Sequence, residues 1–151
     1  MTWLVNGLKD SLIYWKANGA ATYNKITDHN RSPLSVSIDR IENAQRTANG
    51  TLRKSIIAEK HQFNLSWSNV PNLAAYTVDN GWAGSDMYDF YMDNRQPFYL
   101  KITQKFDPDA VNNYQEFLVY FASCSFEVIK RNPSAATPYM LMDVSITLEE
   151  V

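Results

Sequence analysis

The chain has 151 residues, 45% hydrophobic and 20% charged, with a formal net charge of −2 and a single cysteine, Cys124. That length fits one domain, 1–151, with a sizeable core. The charge argues against the concentrated basic surface that general affinity for nucleic acid or anionic membrane requires, and one cysteine excludes an internal disulfide.

In MTWLVNGLKDSLIYWK, Lys9 and Asp10 interrupt the apolar residues. Neither a signal-peptide core nor a span of about 20 apolar residues is present, so synthesis and assembly in a cytoplasm are expected. Trp3-Leu4-Val5 followed by Asn6-Gly7 predicts a short strand and a turn. Leu8, Leu12 and Trp15 share a helical face, which predicts a short amphipathic helix ended by Asn18-Gly19. Thr27 to Pro33 reads as loop, and residues 1–32 together as an N-terminal arm.

From Leu34 the pattern is that of strands. Leu34, Val36 and Ile38 alternate with Ser35, Ser37 and Asp39, and Phe63, Leu65 and Trp67 alternate with Asn64, Ser66 and Ser68. Between them lies a polar tip, IENAQRTANGTLRKS, Ile41 to Ser55. Pro71, which has no N–H to give a ladder, predicts the end of the second strand. The segment from Gly81 to Asn94 predicts a helix: Ser85 as N-cap, Asp86 and Asp89 at its positive end, Met87, Phe90 and Tyr91 on one face, Asn94 closing it.

Phe98, Leu100 and Ile102 alternate next. The run around Phe117–Phe121 is nearly continuously apolar, as in a central strand covered on both faces. Asn132 to Pro138 reads as loop, and Met140, Met142, Val144, Ile146 and Leu148 alternate to the end. Five or six strands in the order β-β-β-α-β-β-β predict a mainly-β fold: an antiparallel β-sandwich or barrel with one short flanking α-helix and a long polar hairpin tip.

No constellation for chemistry emerges. His29 and His61 are far apart and lack partners at metal-ligand spacing. Asp86 and Asp89 are explained by the helix dipole, and Asp107-Pro108-Asp109 lacks the glycine and distal glutamate of a calcium loop. Cys124 falls on a strand with no base nearby and reads as a filler. Neither a nucleophile elbow nor a glycine-rich phosphate loop is present. The expectation is a protein that is not an enzyme, with no catalytic, cofactor-binding or metal residue and no cofactor. Arg40, Arg46, Arg53, Lys54 and Lys60 gather around the tip with Asp39, Glu42 and Glu59. They form either a solvated hairpin end or a charge-mixed contact surface that sets register with a partner.

IDRIENAQRTANGTLRKSIIAEKHQFNLSW, TVDNGWAGSDMYDFY with FYLKI, SCSFEVIKR and the terminal MDVSITLEEV together resemble the tail tube protein group of long-tailed bacteriophages, with tube-end and distal tail proteins close behind. The resemblance covers Pro33 to about Thr103 and Phe117 to Val151. It implies a β-sandwich with a flanking helix, stacked in rings, commonly hexameric, around a channel through which DNA passes. A long hairpin would reach the adjacent ring, with Arg46, Thr47, Asn49, Arg53 and Lys54 as the contact residues. The implied partners are copies of itself and other tail proteins, in a virion; DNA is passing cargo with no specific binding, and no membrane is involved. Two other readings stand beside it: a carbohydrate-binding β-sandwich, motivated by Trp3, Trp15, Trp67 and Trp82, and a small β-rich enzyme, which would need a cleft of convergent ionisable groups.

Overall fold

The computed structural model describes residues 11–103, 114–134, 136 and 138–151. Seven strands form one sheet: β1 (Ile13–Ala17), β2 (Asn24–Lys25), β3 (Ser35–Arg46), β4 (Leu52–Pro71), β5 (Phe98–Thr103), β6 (Tyr114–Asn132) and β7 (Tyr139–Glu150). A 3₁₀ turn, Ala74–Tyr76, and the helix α1, Gly84–Asp93, lie between β4 and β5. The strand order is β2-β1-β5-β6-β7-β4-β3, and every strand pair is antiparallel. The fold is therefore mainly β with one helix among the described residues. All seven strands lie in one antiparallel sheet. The chain leaving β2 donates from Ile26 N to Ile13 O at 2.9 Å, and then pairs with β4, Ser32 N meeting Ser66 O at 2.9 Å. One short segment thus joins β1, next to one end of the strand order, to β4, next to the other.

The expected alternations position the core. Phe63, Leu65 and Trp67 of β4, Phe98, Leu100 and Ile102 of β5, and Val144, Ile146 and Leu148 of β7 are all buried. At the centre Trp15 packs against Phe90, Phe98 and Phe121, with ring centroids 5.4–5.7 Å apart. Trp67 is buried too, and its indole N–H donates to Thr27 O at 2.9 Å. A carboxylate holds the loops over this end: Asp79 accepts from Thr27 Oγ1 at 2.8 Å, Asp28 N at 2.9 Å and Gly81 N at 3.0 Å, with Lys25 Nζ at 3.3 Å.

Four expectations are corrected. The helix expected through Leu12 and Trp15 is strand β1, because Ile13 and Trp15 alternate inward against Tyr14 and Lys16, in register with β5. Leu8, the strand expected at Trp3-Leu4-Val5 and the Asp107-Pro108-Asp109 break lie outside the described residues. The N-cap of α1 is Ala83, not Ser85. Asp86 reaches back to accept from Ala83 N at 3.1 Å, while Ser85 N donates to Asn72 O at 3.1 Å. Asn94 closes the helix as expected, its N–H donating to Phe90 O at 2.9 Å. β6 is not covered on both faces: Phe117 and Val119 are buried but Tyr120 is 46% exposed. Finally, most of the polar tip is strand, since β3 runs through Arg46 and β4 begins at Leu52.

Candidate assembly interface

The hairpin of β3 and β4 outruns the sheet it starts from. β7 pairs with β4 only from Gln62 onward, where Gln62 faces Glu149. β3 stays paired with β4 from Ser35↔Asn64 to Arg46↔Leu52. From the Ile38↔His61 pair outward the two strands therefore form a ribbon with no third described strand beside it, projecting about 30 Å at 3.3 Å per residue. The shift of register between Ile41 and Glu42 leaves Ile57 without a partner opposite, a bulge that twists the ribbon.

The root of the ribbon is fastened. Glu150 accepts from His61 N at 2.9 Å and lies 2.6 Å from His61 Nδ1, and Lys60 Nζ donates to Val151 O at 2.6 Å. Burial pushes the Glu150 carboxyl up. The hydrogen bonds and charge of His61, with Lys60, outweigh it and hold the group below the usual carboxylate range. The His61 ring also packs on Phe63 and Phe117 of the core. The arm is thus anchored to the body at one end, and beyond Gln62 no other described strand pairs with it.

Its surface is mixed rather than polar. Ile38 is 59% exposed, Ile56 55% and Ile57 65%, and Ile41 and Leu52 are exposed as well. Between them Arg40 pairs with Glu59 at 3.0 Å, and Lys54 with Glu42 at 3.1 Å. The turn itself is only Thr47–Thr51. Thr47 N donates to Thr51 O at 2.9 Å, Gly50 N to Thr47 O at 2.9 Å, and Gly50 takes φ +86°, a left-handed conformation that suits glycine.

The five residues singled out in the sequence all fall on this arm and divide by role. Arg46 donates from Nη1 to Gly50 O at 2.9 Å, and the Thr47 hydroxyl meets Asn49 Oδ1, so these three close the turn. Lys54 is held by Glu42, and Arg53 is exposed. Reading the tip Ile41–Ser55 as polar passed over Ile41 and Leu52, and Ile38, expected on the covered face of its strand, is exposed instead, as are Ile56 and Ile57 just beyond the tip, because no described strand lies over the ribbon. The signal for them was present: isoleucines and a leucine set among charges.

No family model matches the chain, and no curated protein matches it. A solved structure is similar to it. This is the six-fold symmetrised cryo-EM structure of the anti-feeding prophage (AFP) baseplate, matched over 93% of this chain and 88% of that chain, at 11% identity and a TM-score of 0.44.

Among the described residues no group of three or more His, Cys, Asp or Glu could hold a metal ion. Cys124 is half-buried and burial pushes its thiol up to about 12, so it stays protonated at neutral pH. His29 Nδ1 accepts from Val78 N at 3.1 Å, a structural bond that fixes the loop. Trp15 and Trp67 are buried and Trp82 packs on Phe90, so these three form no exposed platform for a sugar; Trp3 lies outside the described residues. No helix among the described residues is long and apolar enough to cross a membrane.

Proposed function

We propose that the chain is a structural protein of a phage tail, without catalytic activity, whose copies join into stacked rings, hexameric by the resemblance, that form the tube through which DNA passes. The observation that carries this reading is the arm. A two-stranded ribbon is marginal in water by itself, and this one leaves the outer backbone groups of β3, and of β4 before Gln62, without a strand partner among the described residues. Such edges template further pairing. Exposed isoleucines alongside them add apolar surface whose burial favours a partner, and flanking ion pairs set register. The sequence resemblance supplies the identity of that partner: copies of the same chain, in the company of other tail proteins.

The test is negative-stain electron microscopy of the purified chain from dilute to concentrated solution. Rings and short tubes are expected. Closed rings that do not stack would move the role to the tube end or distal tail, and a monomer persisting at all concentrations would overturn the reading.

A further inference from the structure

Among the described residues, the strands β1, β5 and the first half of β6 carry a helix on one side only. On the core side α1 reaches them through Phe90, which packs on Trp15, Phe98 and Phe121. On the opposite side the period of two brings out Tyr14 and Lys16, Tyr99 and Lys101, and Tyr114 and Glu116, in register across the three strands. These side chains are already ordered against one another. The Lys16 ammonium lies over the rings of Tyr23 and Tyr99 at 4.8 and 5.1 Å, and Lys101 lies over Tyr14, Tyr23 and Tyr114 at 4.6, 4.7 and 5.4 Å. Glu116 accepts from the Tyr23 hydroxyl. Among the described residues the face is an aromatic platform that presents Lys16, Lys101 and the engaged Glu116, while Lys25, opposite Tyr14 on β2, is paired with Asp79 at 3.3 Å. Burial lowers the Lys101 ammonium, with Glu116 opposing and Lys16 adding to the effect.

The helix displays the complement. In GSDMYDFYMD there are three aspartates and no basic residue; Arg95 follows beyond the C-cap. Asp86 is spent on Ala83 N. Asp89 and Asp93 are exposed, and helical spacing sets them with Met92, itself 47% exposed, on the side away from the buried Met87. Tyr88, 46% exposed, flanks them. Tyrosine and methionine are favoured at protein contacts, and carboxylates beside them match the lysines of the platform.

Building on the self-assembly proposed above, we propose that α1 of one copy docks on the lysine–tyrosine face of the next, Asp89 and Asp93 meeting Lys16 and Lys101. The helix and the platform lie on opposite sides of the same strands, so the contact is heterologous. Each copy offers its helix forward and its platform backward, and repetition closes a ring or extends a filament. The sheet then has a helix on both faces. Because the lysines are already held by the tyrosine rings, ordering them on contact costs little entropy.

The test is a charge swap. Lys16→Glu with Lys101→Glu, and separately Asp89→Lys with Asp93→Lys, should each raise the concentration needed for assembly at least tenfold. An equimolar mixture should assemble like wild type, because the reversed helix meets the reversed platform and the native helix meets the native one. Either folded variant assembling at the wild-type concentration, or a mixture of two folded variants that fails to recover, overturns the docking. The aspartates are exposed, so the helix variant keeps its far-UV spectrum and carries the test even where the lysine variant does not fold. A wild-type chain that never assembles overturns the assembly reading itself, a different result from wild type and both variants assembling alike, which overturns the docking alone.

Discussion

Replacing Ile38, Ile56 and Ile57 by threonine separates the stability of the subunit from that of the assembly. Threonine keeps the β-branched shape that suits a strand, so the ribbon retains its backbone preference. The three isoleucines are 59%, 55% and 65% exposed in the single chain. Full burial of an isoleucine is worth about 1.5–3 kcal/mol, so with roughly six-tenths of the surface still open about 1–2 kcal/mol per side chain remains to be gained in a contact. Threonine recovers less than half of that, and the triple variant should lose about 3 kcal/mol per contact, roughly a hundredfold in the assembly constant. In the free subunit exposed substitutions change stability by only about 0.5 kcal/mol each. Sedimentation or light scattering across a concentration series reads the first quantity, and thermal unfolding of the dilute chain reads the second. Assembly at the wild-type concentration would refute the role given to the arm. A large drop in the melting temperature of the dilute subunit would show that the arm folds back on its own body.

Other outcomes follow from the core and loops. Trp67→Phe removes the donor to Thr27 O and leaves a cavity, for a loss of about 2–4 kcal/mol in chemical denaturation; Trp15→Phe should cost less, because the Trp15 indole N–H meets no acceptor among the described residues. Gly81→Ala would put a Cβ 2.7 Å from Thr27 Cα and 2.8 Å from its N, both backbone, and should destabilise by about 1–3 kcal/mol. Gly50→Ala, in open space but at φ +86°, should cost only about 1 kcal/mol by thermal melting. Asp79 is pushed up by burial but held below the usual carboxylate range by Asp28 and Gly81 N–H, the Thr27 hydroxyl and Lys25. A carboxylate depressed on folding contributes stability above its unfolded pKa and loses it as pH falls through the folded one. Asp79→Asn should therefore melt below wild type at pH 7, with the gap narrowing as acid is added; a gap independent of pH would contradict that sign.

The parts of the fold legible in the sequence were those where one sheet face is covered. β4 around Trp67, β5 and β7 show their alternation because neighbours bury every second residue. β1 was misread because Leu12 and Trp15 fit a helical spacing, while pairing with β5, a tertiary choice, decides for a strand. Leu118 and Tyr120 made β6 look covered on both faces, yet Tyr120 is open to solvent. The arm was read as a polar hairpin tip, but how far its strands stay paired was not, since polar residues in a two-sided strand carry no period. The lysine–tyrosine platform was hidden for another reason: Tyr14, Tyr99 and Tyr114 lie far apart in the chain and meet only through the sheet register.

Hydrogen exchange measured peptide by peptide over residues 38–58, in the dilute subunit and after assembly, tests most directly whether copies of the chain complete the arm. Fast exchange of the outward amides of both strands when dilute, slowed strongly once assembled, is the expected result. Amides already protected in the lone subunit, or still exchanging fast in the polymer, would contradict the account.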